Sequence, residues 1–258
     1  MQQEPILEAR GVTKRFGGLM ALDAVDLTIQ RGEILGVIGP NGAGKTTFVN
    51  CITGFDKPTS GAVTFNGQDI TRLPGHAIGR LGMARTFQVV KPFKQLTVRD
   101  NVAVGAMFGA GGRQRSAAQA KDYAMHMIER VGLQREINRQ ASELTIPDLK
   151  RLELAKALAM DPQLLFLDEV MAGLNQVEVE RSMELIQSIN RSGVTIFVIE
   201  HVMKAIMGIS QRLVVLHFGK KIAEGRPQEI VESQAVVEAY LGERFARRER
   251  ERRDARSG

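Results

Sequence analysis

The chain has 258 residues, of which 43% are apolar and 25% are charged, and its formal net charge is +6. A chain of this size buries roughly 70–75% of its unfolded surface, so it needs no disulfide staple, and its composition excludes a disordered or fibrous protein. The single cysteine, Cys51, excludes an intramolecular disulfide and a cysteine-built metal cluster, and it fits a reducing compartment.

The N-terminus and the hydropathy pattern carry no membrane signal. No apolar run approaches the ~18 residues of a membrane-spanning helix. The first residues, MQQEPILEARG, include acids where a secretory signal is basic and then apolar. We therefore expect a cytoplasmic protein that lies peripherally on the inner face of the cell membrane and reaches it through a partner.

Much of the positive charge lies in the C-terminal tail, residues 244–258, which holds seven arginines and three acidic residues. The body is therefore near neutral, which argues against an extended nucleic-acid surface. The tail has two open interpretations. Its low complexity favours a disordered, solvated extension. Alternatively, its arginines contact anionic lipid headgroups, an attraction that the interleaved acids weaken.

The first part of the chain has strand patterns. Residues 5–38 contain three strand-like runs, Ile6–Ala9, Val25–Ile29 and Ile34–Ile38. The third run is apolar throughout, as in a strand that is buried on both faces.

A glycine-rich loop follows the third run and leads into a short helix. That helix is predicted to end near Ile52, with Gly54 as its C-cap. The run Val63–Gly67 then predicts a strand that enters an Asn-Gly hairpin turn.

Helical periodicity replaces the strand patterns over residues 91–158, for example at Tyr123, Met127, Ile128 and Val131. After Pro162 strands and helices alternate. The predicted strands are Leu164–Leu167, Val194–Ile199 and Leu213–Leu216, and the predicted helix has Val179, Met183, Ile186 and Ile189 on one face. This alternation predicts an α/β fold with a mostly parallel sheet.

The loop Gly39–Thr46 matches the phosphate-loop pattern G-x-x-x-x-G-K-[ST]. The backbone N–H groups of such a loop cradle phosphates at the start of a helix. Lys45 is predicted to reach the β- and γ-phosphates of ATP, and the Thr46 hydroxyl to bind Mg²⁺. The predicted nucleotide-binding residues of this segment are Gly39, Asn41, Gly42, Gly44, Lys45, Thr46 and Thr47.

Two acidic residues, Asp168 and Glu169, end the apolar strand that begins at Leu164. Paired carboxylates are costly to bury, so we expect them at the strand's C-terminal edge, facing a cation or a crevice. Asp168 is then a metal ligand that orients Mg²⁺ or its water. Glu169 is the catalytic residue that polarises the water attacking the γ-phosphate.

With these motifs in this order, residues 5–243 resemble the ATP-binding subunits of ABC transporters. Gln88, in the string ARTFQ, resembles the Q-loop glutamine, which senses the γ-phosphate and Mg²⁺ and faces the membrane subunits. His201 resembles the switch histidine that contacts the γ-phosphate. Phe16 resembles the aromatic residue that stacks on adenine. The segment Ala172–Asn175 resembles the D-loop, with Asn175 where aspartate is usual.

The resemblance implies a P-loop NTPase (RecA-like) core with an antiparallel β sub-domain and an inserted helical sub-domain. The core and β sub-domain would comprise residues 5–90 and 159–243, and the helical sub-domain residues 91–158. It also implies that Glu169, His201 and Gln88 are catalytic, and that Thr46, Gln88 and Asp168 hold the metal.

The family signature, Leu-Ser-Gly-Gly-Gln, is altered here to Leu144–Asp148, which reads LTIPD. Thr145 keeps the hydroxyl that binds the partner subunit's nucleotide, and with Asp148 it predicts a helix-capping box that has Pro147 in the first turn. Proline has no N–H to donate, however, and the acid is unfavourable near a polyphosphate. We therefore expect a weakened signature. We also expect this chain to form a heterodimer with a second ABC ATPase subunit, and the two nucleotide sites of that heterodimer to be unequal.

Short strings, FGGLMAL after Arg15 among them, resemble the branched-chain amino acid and amide importers, and within that branch the longer of two ATPases. The resemblance implies two membrane permease subunits and, indirectly, a periplasmic solute-binding protein as partners, and no nucleic acid. The transported solute stays open among leucine-type amino acids, short amides, urea and small carboxylates.

Two rival functions remain. An ATPase of lipopolysaccharide export resembles this branch, but it works as a homodimer and needs a good signature. A regulatory module that binds ATP and hydrolyses it poorly is favoured by the altered signature, and Glu169, His201 and Gln88 argue against it.

Overall fold

The computed structural model describes residues 4–87, 90–110 and 115–240. Its strands are β1 (Leu7–Phe16), β2 (Leu19–Ile29), β3 (Ile34–Ile38), β4 (Ser60–Phe65), β5 (Gln68–Asp69), β6 (Met83–Arg85), β7 (Leu164–Asp168), β8 (Thr195–Ile199), β9 (Arg212–His217) and β10 (Lys220–Gly225). Its α-helices are α1 (Lys45–Ile52), α2 (Gly75–Arg80), α3 (Val98–Met107), α4 (Ala117–Arg130), α5 (Ile146–Leu158), α6 (Gln176–Arg191), α7 (Met203–Ile209) and α8 (Pro227–Glu232).

Two sheets form the framework of the described chain. The antiparallel sheet has the order β2-β1-β4-β5, and the mixed sheet has the order β10-β9-β3-β8-β7-β6. In the mixed sheet β3, β6, β7, β8 and β9 run parallel, and β10 pairs antiparallel with β9 at one edge. The predicted mostly parallel sheet is therefore confirmed, while the edge strands β6 and β10 were not predicted from the sequence.

The central strands of the mixed sheet are apolar on both faces because both faces are covered. Along β7, Leu165 and Leu167 pack into one hydrophobic cluster, with side chains from α3, α4, α5, α6 and α7. The alternate residues Leu164 and Phe166 pack into a second cluster, with side chains from α1 and the antiparallel sheet. This arrangement explains the continuous apolar runs that the sequence shows in these strands.

The predicted turns lie where expected. Asn66 and Gly67 both have positive φ, 51° and 76°, and connect β4 to β5 as an Asn-Gly hairpin requires. Helix α1 ends at Ile52 as predicted, but its C-cap is Thr53, and Gly54, which was predicted as the C-cap, is the next residue and has a φ of 76°. Cys51 is buried in this helix, and burial raises the pKa of its thiol to about 11.

Helices α3, α4 and α5 lie between β6 and β7 in the chain and pack on one another. Helices α3 and α5 approach closely at Gly105, where an added Cβ would lie 2.4 Å from the carbonyl oxygen of Lys156. Ser116 and Gln119 cap α4 with a complete capping box. Within the described ranges, no helix combines the length and apolar character needed to cross a bilayer.

Candidate nucleotide-binding site

The candidate site lies at one edge of the mixed sheet, where three parallel strands end. Strand β3 ends at Ile38 and leads into the phosphate loop, β7 ends at Asp168, and β8 ends at Ile199, two residues before His201. Because β8 pairs in parallel register with both β3 and β7, these three ends lie side by side. This edge is where ligands bind in open parallel sheets.

The phosphate loop has a conformation that only glycine allows at two points. An added Cβ at Gly39 would lie 2.1 Å from the carbonyl oxygen of Leu216. Gly44 has a φ of 100°, and an added Cβ there would lie 2.7 Å from the carbonyl oxygen of Ala21. The loop therefore wraps tightly against β9 and β2, and α1 begins directly after it at Lys45.

The buried side chain of Lys45 turns back into this loop. Its Nζ donates hydrogen bonds to the carbonyl oxygens of Gly39 at 2.6 Å and Pro40 at 2.9 Å. Asn41 and Thr46 are exposed beside it, and Thr47 is half-buried. The loop is too tight for a side chain at Gly39 or Gly44, and it holds the ammonium group of Lys45. Such a loop fits a chain of phosphate groups.

Asp168 is buried at the end of β7 and paired with an arginine on the neighbouring strand β6. Arg85 Nη2 donates to Asp168 Oδ2 at 2.9 Å, and Arg85 itself lies beside the rings of Phe55 and Phe87. Burial raises the pKa of Asp168, while the charges of Arg85 and Lys45 oppose that shift.

The second oxygen of this carboxylate, Oδ1, is buried and has no hydrogen-bond partner among the described residues. A buried carboxylate oxygen without a donor is unfavourable unless a cation meets it. Together with the Thr46 hydroxyl it supplies the hard oxygen ligands that Mg²⁺ prefers, so the donor set fits this ion.

Glu169 and His201 form a pair beside Asp168. His201 Nε2 lies 2.8 Å from Glu169 Oε1, and the histidine side chain is 45% exposed while that of the glutamate is 17% exposed. Glu169 has a φ of 52°, in the left-handed region that costs a residue with a side chain about 1–2 kcal/mol. The backbone N–H of Glu169 donates to the carbonyl oxygen of Ile199 at 2.9 Å, which holds β7 to β8 at this point.

Phe16 lies at the end of β1 and is 47% exposed. Lys14 Nζ lies 4.8 Å from the centroid of its ring, on the scale of a cation–π contact. The contacts of Gly44 with Ala21 and Leu22 bring strand β2 of the same hairpin against the phosphate loop. The half-exposed ring therefore lies on the hairpin whose second strand approaches the phosphate loop.

The altered signature caps helix α5, and here the predicted capping box is only half right. The Thr145 hydroxyl accepts a hydrogen bond from the Asp148 N–H at 3.4 Å, as predicted. The Asp148 carboxylate accepts from the Thr145 hydroxyl at 2.7 Å instead of from the Thr145 backbone. Aspartate is one methylene shorter than the glutamate of a full box, which accounts for this local contact.

Pro147 lies in the first turn of α5, as predicted, and Ile146 is 67% exposed. In the described part of the chain, no hydrogen bond joins Thr145 to the phosphate loop of the same chain. Asn175 is the N-cap of α6 and shares a full capping box with Glu178. Since asparagine and aspartate cap helices about equally well, the departure at this position leaves the local structure intact.

Gln88 and residues 244–258 lie outside the described residues, so their predicted roles stay predictions. Three side chains near the site were missed from the sequence: Arg85, Lys150 and Glu200. In the sequence, Arg85 and Glu200 are charged residues at the ends of apolar runs, and Lys150 is a charged residue of the signature helix. A charged residue in such a position does not by itself predict a contact.

Comparison with known proteins identifies this arrangement as an ATP-binding cassette. Residues 22–172 match the family described as ABC transporter, and residues 220–246 match the family described as Branched-chain amino acid ATP-binding cassette transporter. The chain belongs to the ABC transporter family as an ATP-binding subunit, and it is an ATPase with the P-loop NTPase fold, as the resemblance implied.

Relatives that match this chain over nearly its whole length have more specific names. The chain is 42% identical over 252 residues to "High-affinity branched-chain amino acid transport ATP-binding protein LivG" of Salmonella typhimurium strain LT2, covering 93% of this chain and 99% of that protein. It is 41% identical over 251 residues to the BraF protein of the same description from Pseudomonas aeruginosa, covering 93% and 98%.

Solved structures agree with the fold. A nucleotide-free ATP-binding cassette from an ABC transporter superposes with a TM-score of 0.83 at 29% identity, covering 92% of this chain and 99% of that one. The ADP conformation of an ATP-binding cassette superposes with a TM-score of 0.83 at 30% identity, covering 93% and 100%. ADP is thus bound by a protein of the same fold.

Proposed function

We propose that this chain hydrolyses ATP to power an importer of branched-chain amino acids or of related small amides and carboxylates. The observation that carries the proposal is the meeting of three features at one sheet edge. These are the phosphate loop with Lys45, the buried Asp168 with its unpartnered oxygen, and the Glu169–His201 pair.

The proposed roles follow from the chemistry of the groups. Lys45 leaves its loop carbonyls to meet the β- and γ-phosphates, and the backbone N–H groups around Gly42 and Gly44 donate to them. Thr46, Asp168 and Gln88 would hold Mg²⁺, which when bound neutralises charge on the phosphates. Phe16 stacks on the adenine ring.

Hydrolysis then needs one proton acceptor. A water molecule attacks the γ-phosphorus, the bond to the ADP oxygen breaks, and inorganic phosphate leaves. Glu169 orients this water and accepts its proton, and His201 beside it donates a hydrogen bond to the γ-phosphate. The contact between the two side chains holds both at the sheet edge where these roles require them.

The altered signature supports a heterodimer with unequal sites. In this family the signature of one subunit closes over the nucleotide held by the other. Here Pro147 offers no N–H, Ile146 projects into solvent, and the Thr145 hydroxyl already donates to Asp148. A partner subunit with a complete signature would close this chain's site, while the partner's own nucleotide would meet the weak one.

The proposed substrate class and partners are supported by the names of the relatives and by the match over residues 220–246. We propose two permease subunits and, through them, a periplasmic solute-binding protein, with this chain at the inner face of the membrane. Residues of the ATPase do not touch the solute, so the assignment of branched-chain amino acids depends on the complete transporter.

The experiment that tests this function measures ATP hydrolysis by the purified chain over a range of protein concentrations, alone and with its candidate partner subunit. Fluorescent ATP binding shows that the phosphate loop is folded. Uptake of labelled leucine by cells with and without the gene tests the transport role.

We expect nucleotide binding without turnover for the chain alone, turnover with the partner, and loss of leucine uptake without the gene. Turnover that rises faster than linearly with the concentration of the chain alone contradicts the heterodimer and revives the homodimeric export-type ATPase. Binding without turnover even with the partner favours the regulatory module. Unchanged leucine uptake contradicts the substrate class.

A further inference from the structure

The turn that carries Glu169 is held from two sides by a lysine and a glutamate that the proposed chemistry does not use. This turn, residues 169–172, links the end of β7 to the D-loop. Its own hydrogen bonding is weak: the Ala172 N–H donates to the carbonyl oxygen of Glu169 at 3.3 Å. The left-handed φ of Glu169 adds strain at the same point. Side chains outside a strained turn help to keep it in a single conformation when they bind its backbone groups.

Lys150, from the first half of α5, provides support on one side. Its Nζ donates to the carbonyl oxygen of Glu169 at 3.3 Å and also to the carbonyl oxygen of Ala172. One ammonium group thus joins the first and last carbonyls of the turn. Burial lowers the pKa of Lys150, and the charges of Glu200 and Glu169 oppose that shift. The amine lies among acids and carbonyls, which is where a cation is stabilised.

Glu200, which directly precedes His201, provides support on the other side. It is buried, and its Oε1 accepts a hydrogen bond from the N–H of Met171, in the middle of the turn, at 2.7 Å. Its Oε2 is buried without a hydrogen-bond partner among the described residues. An acid kept in so unfavourable a place needs a reason, and its contact with the turn supplies one.

We propose that Lys150 and Glu200 are positioning residues that together hold the 169–172 turn, so that the carboxylate of Glu169 stays against His201. This inference rests on the proposed catalytic role of Glu169. It adds that helix α5, whose first turn is the signature, is joined through Lys150 to the catalytic glutamate of its own chain.

The test replaces Lys150 in the chain assembled with its partner subunit and measures kcat, KM for ATP and the thermal midpoint. We expect Lys150→Met to lower kcat at least tenfold while KM changes less than twofold. Lys150→Arg, which keeps two donors, should recover most of the rate. Glu200→Leu should behave as Lys150→Met does, and Glu200→Gln, which keeps the acceptor for Met171, should retain most activity.

The decisive comparison uses a background in which Glu169 is already replaced. In Glu169→Gln protein under single-turnover conditions, adding Lys150→Met should change the residual rate less than twofold, because the group being positioned is absent. Lys121→Met is the matched control: this lysine of α4 pairs with Asp100, and its loss should leave kcat unchanged.

Two results overturn the proposal on different grounds. A Lys150→Met protein with unchanged kcat, or with an equal further loss in the Glu169→Gln background, shows that Lys150 does not act through Glu169. A Glu169→Gln protein with full turnover shows instead that the catalytic assignment itself is wrong. If Lys150→Met fails to fold, Lys150→Gln, which keeps a donor and loses the charge, is compared with Lys150→Arg in the same way.

Discussion

His201 Nε2 lies 2.8 Å from Glu169 Oε1, although 32 positions separate the two residues in the chain. The contact follows from the sheet. Strands β7 and β8 are parallel neighbours, and Asp168 pairs with Ile199, so the residues that follow each strand meet at one edge. This contact places a carboxylate and an imidazole together at the edge that carries the phosphate loop, and the proposed hydrolysis of ATP rests on that placement.

Replacing Glu169 by glutamine should remove turnover and keep nucleotide binding. Glutamine has nearly the same shape but accepts no proton, so kcat should fall about 10²- to 10⁴-fold. The affinity for fluorescent ATP should change little, because the phosphate loop is untouched. Steady-state hydrolysis by the chain with its partner, together with a binding titration, checks both halves.

The matched control is Glu180→Gln on α6, an exposed acid that pairs with Lys204. It should leave both kcat and affinity unchanged. If Glu169→Gln loses affinity in proportion to turnover, Glu169 contributes to binding and the proposed role is wrong.

The sheet and the site edge were predictable because their signals are local. The apolar run Ile34–Ile38 followed by a phosphate-loop pattern predicts a buried strand, a turn and a helix from adjacent residues alone. The same holds for the strand that ends at Asp168. Once both strands belong to one parallel sheet, their carboxyl ends must share an edge.

The supports of the site were not predictable because they depend on contacts between distant segments. Arg85 reaches Asp168 only because the three-residue strand β6 pairs with β7, and nothing in the sequence marks so short a strand. Lys150 looks like any exposed lysine of a helix until α5 is placed against the 169–172 turn. Glu200 looks like a solvated acid before the packing buries it.

Replacing Phe16 by alanine should weaken ATP binding with little effect on the chemical step. The half-exposed ring lies beside Lys14, and stacking of a base on an aromatic side chain contributes about 1–3 kcal/mol. The dissociation constant for ATP should rise about fivefold or more, while kcat at saturating ATP stays within about twofold.

Phe16→Tyr is the control, since tyrosine keeps the aromatic face and should bind as the wild type does. Titration with an ATP analogue that lacks the base should show no difference between the alanine variant and the wild type. A loss of affinity for that analogue as well would mean that Phe16 acts on the fold of the loop and not on adenine.

The buried Glu200 should make stability depend on pH between about 4.5 and 7. Burial raises the pKa of its carboxyl from 4.5 to about 7, although the Met171 N–H and Lys150 oppose this shift. The unfolded chain therefore ionises Glu200 at lower pH than the folded chain does, and stability is lost as the pH rises through this window. The full loss is on the order of 3 kcal/mol.

Glu200→Gln removes this titration and keeps the acceptor for the Met171 N–H. The unfolding midpoint of Glu200→Gln, relative to that of the wild type, should increase as the pH rises from 5 to 8. Other titratable groups, Lys150 and Glu169 among them, are present in both proteins, so their contributions are common to the two curves. Glu232→Gln, at an exposed position of α8, should show no such trend. Parallel midpoint curves for Glu200→Gln and the wild type would show that Glu200 is ionised throughout this range.

Restoring the signature should make the chain active without a partner. Replacing Thr145, Ile146, Pro147 and Asp148 by serine, glycine, glycine and glutamine supplies backbone N–H groups and removes the acid that now holds the Thr145 hydroxyl. Two glycines in the first turn of α5 cost about 1–2 kcal/mol at most, so the helix should still form. ATP hydrolysis by the isolated variant should rise faster than linearly with its concentration, because two good composite sites now form from one kind of chain. The control is Ile146→Ala alone, which keeps the proline and the acid and should remain inactive. If the restored variant binds nucleotide normally but is still inactive, the Leu144–Asp148 segment does not limit turnover.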